Sequence, residues 1–392
     1  MAHPNFPDSP ATHVPHGLKE PAYLAQTRAW NPSYLPDIKT GTLRTTLPRL
    51  LAHPNIAMKR WRGGQVEQTG KLAASVEPGC DAGVLRVRME NTIRYLALAN
   101  GGNERFSYLN PRRGAQIALA ECLRRLACTG ALPLAMSSRL NLADPVKPEE
   151  AYALRESIAG LKEAAQFFSL PEIGSGISLN GHGATDLSGP SSVVAVLGQV
   201  EQEKYLTRQW VRGAGDKLIL LGAAPTEIGG SQYQGLVHQL NAGDAPQCDL
   251  AMAQKLNYVL STLIKAGQVR AAHDVSAGGM LCSVAEMLFA PGLTLGVTLE
   301  LAAFQGNRLD ALLFGESQNR AIVLVGPERL GSVLADSHLR GVSAAVIGEV
   351  TANPVLTVRG ATDEVVAWPI TELRQAWENS LENKIKISGS IA

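Results

Sequence analysis

The stretch His273-Asp274-Val275-Ser276-Ala277-Gly278-Gly279-Met280 constrains the fold more than any other in the chain. An acid and a hydroxyl stand at the end of an apolar run. Two glycines then open a helix that continues through Ser283-Val284-Ala285-Glu286-Met287-Leu288. The residues before it, from Leu263 to Arg270, read as a helix end, a glycine cap and a short strand. Backbone N–H groups at such a helix start point outward and favour an anion, most often a phosphate. The Asp274 carboxylate would then suit a Mg²⁺ bridging to that phosphate. A tight turn capped by an aspartate is the plainer alternative.

Length and charge narrow the field. A chain of 392 residues is long enough for two domains, each with its own core. Hydrophobic content of 45% and charged content of 18% describe an ordinary soluble protein. A formal charge of +1 gives no electrostatic reason to expect nucleic acid or an anionic membrane as partner. No apolar run approaches the roughly 18 residues that span a bilayer. The start, Met1 to Pro7, lacks the charged and apolar regions of a signal peptide, so a cytoplasmic location is expected. Cys80, Cys122, Cys128, Cys248 and Cys282 are odd in number and form no Cys-x-x-Cys pair, which points to reduced thiols used as core filler.

The chain reads in three parts. Residues 1–45, rich in Pro, His and Thr and without a sustained period, read as an extended arm or linker. Residues 46–205 read as a first α/β unit. It has strands at Val84 to Arg88 and Ser191 to Gly198, a helix from Gly114 to Thr129, and a long helix from Pro148 to Phe168. Residues 206–392 read as a second unit, opened by the strand Lys217 to Gly222. Asp249 caps a helix reaching Ala266 there. Strands follow near 296–299, 321–326, 344–350 and 355–358, and a helix from Thr371 to Leu381 closes the chain. Strands and helices interleaved without strict βαβ spacing predict an α+β fold, not a doubly wound sheet.

Several acids and glycines carry potential chemistry. Glu121 and Arg125 are four apart and share a helix face, as a simple surface ion pair also would. Asp81 follows Pro78-Gly79-Cys80 as a turn residue before a strand. Gly315-Glu316-Ser317-Gln318 and Gly229-Gly230-Ser231-Gln232-Tyr233 form polar loops between apolar segments. Singly, each has a structural explanation. Together with residues 273–279 they form a set.

That set resembles one family. Its members are Pro54-Asn55-Ile56-Ala57, Asp81-Ala82, Glu121, Thr129-Gly130-Ala131, Gly229-Gly230-Ser231, His273 to Gly279 and Phe314-Gly315-Glu316-Ser317-Gln318. Their order is similar to the second half of the synthetase subunit of phosphoribosylformylglycinamidine synthase, over about Ser33 to Leu381. The resemblance implies the aminoimidazole ribonucleotide synthetase superfamily fold. In it an N-terminal α/β domain contributes half of a dimeric β-barrel, and a C-terminal α/β sandwich domain packs outside. It implies ATP-dependent chemistry, in which the amide oxygen of formylglycinamide ribonucleotide is phosphorylated and ammonia from a glutaminase subunit displaces phosphate to give an amidine.

Residue by residue, the resemblance implies an ATP or ADP site with Asp274, Ser276, Gly278, Gly279 and Arg125 toward the nucleotide. Asp81, Glu121 and Asp274 would lie on Mg²⁺. Arg125 stands where the family has an Asn, and a cation there is expected to meet a phosphate directly. Glu316, Ser317 and Gln318 are candidate substrate contacts. Residues lent across the barrel to a catalytic site correspond to Ser137 to Asn141 and Gly174 to Ser178. There the family's Asp is Ser138 and its metal-binding Asn is Gly176, so Ser138, Ser175 and Ser178 remain as catalytic candidates. The segment Asn103 to Phe106 lacks the catalytic His of the family's first half, and His182 and His238 read as polar loop or surface residues. Three functions stay open: a ligase component working with a separate first-half chain, a non-catalytic paralogue holding a nucleotide, and a homodimeric ATP-dependent enzyme for another amide or carbonyl substrate. Each requires a homodimer or heterodimer, with Val84 to Ala99 in the barrel.

Overall fold

The structure, a computed structural model, describes residues 18–59, 80–89, 92–142, 147–179, 190–224, 227–360 and 364–389. His182 lies outside these residues. Two sheets organise them. The first has the strand order β1-β2-β5-β3-β4, with β1 Gly83–Met89, β2 Thr92–Gly101, β3 Leu132–Leu142, β4 Glu172–Leu179 and β5 Ser191–Val200. Its pairs are antiparallel except β3 with β4, which is parallel. Alternation along β5 sends Ser192, Val194 and Val196 inward, so one face of the sheet is covered and the other is not.

Helices α4 (Pro111–Thr129) and α5 (Pro148–Phe167) cover the inner face. Asn110 caps α4 by accepting from the Arg113 N–H, with Pro111 in the first turn. The helix stops at Gly130, whose φ of +84° suits a residue without a Cβ; a Cβ there would stand 2.0 Å from the Tyr205 carbonyl. Helix α4 is buried nearly all round. Ala115, Leu119, Cys122 and Leu126 pack into the first domain's core, while Ala127 and Cys128 join Ile219, Leu256 and Ala272 of the second. This helix is the spine shared by both domains.

The second sheet has the order β12-β11-β8-β10-β6-β9-β7. Its strands are β6 Lys217–Leu221, β7 Ala271–Asp274, β8 Gly296–Glu300, β9 Ala321–Val325, β10 Ala344–Thr351, β11 Val355–Arg359 and β12 Val365–Pro369. Every residue of β9 is buried, because helices lie on both faces. On one side are α7 (Leu250–Lys265) and α10 (Leu330–Leu339). On the other lie α8 (Gly279–Glu286) and α9 (Leu309–Phe314). Among the described residues the two sheets and their helices make the α+β architecture expected from the sequence.

Two details depart from that reading. The N-terminal segment is not an extended arm where it is described. It carries α1 (Ala22–Arg28) and runs into α2 (Leu43–Leu51), whose Leu43, Leu47, Leu50 and Leu51 are fully buried in the second domain's core. Four leucines at helical spacing, each worth about 1.5–3 kcal/mol of burial, outweigh the Pro-rich composition around them. The short strand also begins later than the sequence suggested. It occupies Ala271–Asp274 and brings His273 and Asp274 to its end, at the sheet edge facing α4.

Candidate functional site

A cleft of about 1300 Å³ opens between the domains. The first domain supplies Asn100 to Asn103, where β2 runs into α3 (Glu104–Leu109), and Glu121 and Arg125 from α4. The second supplies His273, Ser276, Ala277, Glu286, Glu316 and Gln318. Residues 54–59 and Trp377 of α11 (Ile370–Gly389) close one side. Helix α11 is tied there by the Trp377 indole N–H, which donates to the Ile56 carbonyl at 3.1 Å.

The electrostatics of the cleft wall are compact. The two oxygens of Asp274 face Arg124 Nε and, at 3.3 Å, Arg125 Nε. Arg124 and Asp274 are each only 1% exposed. Burial alone would raise the Asp274 carboxyl, but the two guanidiniums overcome it and hold the group below its usual range. Glu121 pairs with Arg125 on the same helix, and burial raises its carboxyl despite that partner. His273 Nδ1 lies 3.0 and 3.1 Å from the two Asp81 oxygens, and Nε2 lies 3.2 Å from Glu286. An imidazole with a carboxylate at each nitrogen donates from both and is protonated. Burial opposes that charge, yet Asp81 and Glu286 raise its pKa to about 10.

Glu316 is placed differently. One oxygen accepts from the Gly278 N–H at 2.9 Å and from the Gln232 N–H at 2.8 Å. The other is buried without a protein partner. Burial raises this carboxyl to about 7, against those two N–H groups and Arg105. Buried Arg320 shapes the loop by donating to the carbonyls of Ser317 and Gly315.

Of the residues singled out in the sequence, Asp81, Glu121, Arg125, Ser276, Glu316 and Gln318 line the cleft. Asp274, Gly278, Gly279 and Ser317 do not. The Gly278 N–H, expected to face a phosphate, is taken by Glu316, and the Gly279 N–H by the Ser276 carbonyl at 3.0 Å. Both glycines are packing requirements. A Cβ at Gly278 would stand 2.7 Å from Cys282 Sγ, and one at Gly279 would stand 2.7 Å from Phe314 backbone. Arg125, expected to meet a phosphate directly, instead binds Asp274, Glu121, the Asn100 carbonyl at 2.7 Å and Ser276 Oγ at 3.3 Å.

The expected metal site is also differently built. Asp81, Glu121 and Asp274 do come together, but their charge is met by Arg124, Arg125 and His273. Among the described residues no group of three or more His, Cys, Asp or Glu side chains is arranged to hold a metal ion. These residues do not fit a resident Mg²⁺. Ser138, Ser175 and Ser178 lie on β3 and β4, away from the cleft wall. Ser138 donates to Glu172, and Ser178 Oγ accepts from Arg139 Nε at 2.8 Å. His238 packs edge-on against Tyr233 and takes no part in the cleft.

Arg124, His273 and Glu286 were missed as members of the network. Arg124 was legible: Ile117, Glu121, Arg124 and Cys128 form one helical stripe, and an arginine in a buried stripe needs a carboxylate. The partner of His273 was not, because Asp81 is 192 residues away.

The pattern of the AIR synthase related protein N-terminal domain matches residues 79–200, and that of its C-terminal domain matches residues 213–361. The subunit PurL of phosphoribosylformylglycinamidine synthase from Salinibacter ruber is 38% identical over 351 residues, covering 87% of this chain and 46% of that protein. The same subunit from Moorella thermoacetica is 36% identical over 364 residues, covering 93% and 48%. The chain thus spans about half the length of the curated relatives it matches. Among solved structures, T. maritima PurL complexed with FGAR superposes with a TM-score of 0.67 at 19% identity, over 87% of this chain and 54% of that one. The hydrogenase maturation protein HypE superposes with a TM-score of 0.55 at 18% identity, over 72% of this chain and 90% of that one.

Proposed function

The chain belongs to the AIR synthase related family, and on that premise we propose that it is an ATP-binding half-unit of the amidine-forming ligase of purine biosynthesis. The observation that carries this reading is the coincidence of the family's motif residues with the large interdomain cleft. PurL of T. maritima has been seen with ATP, with ADP and with FGAR. ATP or ADP in this cleft would meet the Ser276 hydroxyl, with Lys59 and Arg374 as cations at the wall. A divalent cation enters this reading only as a companion of the nucleotide's own phosphates.

In the proposed reaction the amide oxygen of formylglycinamide ribonucleotide attacks the terminal phosphorus of ATP and ADP leaves. Ammonia, delivered by a glutaminase subunit, then adds to the activated carbon. The phosphate departs with the former amide oxygen, and formylglycinamidine ribonucleotide remains. Charge grows on phosphoryl oxygens, so positioned cations and N–H groups carry most of the catalysis.

The reading requires a partner. The outer face of the first sheet exposes Leu85, Leu98 and Val193, with Leu96 and Leu197 half-buried among them. A contiguous apolar sheet face of this kind is characteristic of an interface. Its occupant is proposed to be a second sheet of the same kind, from another copy of this chain or from a first-half chain. Ser175, exposed on β4, and Ser178 would then serve the partner's site. No described helix is long and apolar enough to cross a membrane, and Cys122, Cys128, Cys248 and Cys282 are free thiols, which suits the cytoplasm.

The test is an assay with ATP, Mg²⁺, ammonium and the ribonucleotide, alongside calorimetric titration of ATP. Nucleotide binding is expected, with no amidine formed by the chain alone and turnover restored by a first-half chain. Failure to bind nucleotide would overturn the reading. Bound nucleotide without activity alongside any partner would indicate a nucleotide-holding paralogue. A second reading is a homodimeric ATP-dependent enzyme for another amide or carbonyl substrate; the 90% coverage of a HypE chain shows only that a chain of this size can be a whole protein in this fold. Turnover of such a substrate by the chain alone would support it.

A further inference from the structure

The carboxylates at the cleft wall are arranged as if around a cation, and the cation is part of the protein. Arg125 Nε reaches Asp274 at 3.3 Å, and its terminal nitrogen reaches Glu121. The same nitrogen donates to Ser276 Oγ at 3.3 Å, and the other terminal nitrogen donates to the Asn100 carbonyl at 2.7 Å. Four of the five N–H bonds of the guanidinium are therefore directed to oxygens that come from β2, α4, the end of β7 and the loop after it. Arg124 takes the remaining Asp274 oxygen from within α4, and His273 takes both oxygens of Asp81. Three carboxylates face three cations. Asp81 also accepts from the Asp274 N–H, so the three acids form one connected group.

Oxygen ligands committed in this way are poor ligands for a metal. Mg²⁺ demands near-octahedral oxygens at about 2.0–2.1 Å and gives up its water reluctantly. A divalent ion between Glu121 and Asp274 would also have to displace, or lie against, a fixed guanidinium of the same sign.

We propose that Arg125 is a built-in substitute for a divalent cation, bridging Glu121 to Asp274 across the domain junction and closing this carboxylate cluster to metal. The cluster is a latent metal site, and Arg125 is what keeps it latent. A second consequence is architectural. The guanidinium joins α4 of the first domain to β7 of the second, so the junction is held without any metal. This inference does not depend on the proposed ligase activity, because it concerns the protein's own charges.

The test uses Mn²⁺ alone, without nucleotide, titrated into the full chain and followed by the electron paramagnetic resonance of the free ion. The wild type is expected to show no saturable Mn²⁺ site up to millimolar concentration. Arg125→Asn, which removes the cation and offers an oxygen, is expected to gain one saturable site at least tenfold tighter. Adding Asp274→Asn should abolish it. Thermal melting gives a second readout: Mn²⁺ should raise the midpoint of Arg125→Asn and leave the wild type unmoved. Arg125→Gln is the companion variant, retaining most of the side chain's length. Saturable Mn²⁺ binding by the wild type that Asp274→Asn removes would overturn the proposal. So would folded Arg125 variants that gain no site. If neither variant folds, the wild-type titration decides alone.

Discussion

The outer face of the first sheet and the wall of the cleft are opposite solutions to the placement of side chains. On the sheet, Leu98 is 54% exposed and Val193 is 41% exposed, while the other face of the same strands buries Tyr95, Ala97, Ala99 and Val194. In the cleft wall Arg124, Asp274 and His273 are charged and buried. Apolar surface gains about 25 cal/mol per Å² from any cover and has no directional demand, so it can be left for another molecule to meet. A buried charge has a large desolvation cost and demands a matched partner at close range, so its partner has to be present when the chain folds. The sheet face is incomplete by itself. The charge network is complete by itself.

The largest effect should follow from damaging the complete region. Asp274→Ala leaves Arg124 facing no carboxylate and Arg125 with Glu121 only. Losing one partner of a buried pair typically costs about 3–5 kcal/mol. Chemical denaturation should show that loss, while the state of association stays as in the wild type. A loss below about 1 kcal/mol would mean that water already shares this network.

A smaller effect should come from pH. The pKa of His273 is raised from about 6.5 in an unfolded chain to about 10 in the fold. A raised pKa contributes stability that is fully present below the unfolded value and is lost as pH rises through the folded one. The chain should therefore weaken steadily as pH rises between 6.5 and about 10. His273→Gln should remove most of that slope. Parallel denaturation curves for the two proteins across this window would show that His273 is not charged between Asp81 and Glu286.

Much of this was legible in the sequence, for identifiable reasons. The strands at 191–200, 217–221 and 321–325 were readable because their apolar residues run or alternate without a break. Helix α5 was readable from Pro148, and α7 from its Asp249 cap, which accepts from the Met252 N–H at 2.9 Å. Strands β3 and β4 escaped notice because Ser, Gly and Asn dilute their pattern. At the site, motif order placed Asp81, Glu121, Arg125 and Ser276 together, since local turns and helix faces carry those positions. The charge partners were less accessible. Glu121 with Arg125 is a local pair, but Arg124 with Asp274 spans 150 residues and depends on how the domains dock. For the same reason the twin glycines suggested an anion site, whereas Glu316 already takes the Gly278 N–H.

The comparison between a finished cleft wall and an unfinished sheet face is tested most directly by the mass of the purified chain in solution. Sedimentation velocity should be run at micromolar concentration on the wild type and on Leu98→Lys, which puts a charge in the middle of the exposed face. The account predicts a species of twice the chain mass for the wild type, or a stable one-to-one complex once a first-half chain is added. It predicts that Leu98→Lys shifts either assembly to the monomer without changing the thermal midpoint of the second domain. A wild-type chain that stays soluble and monomeric, and ignores a first-half chain, would contradict it.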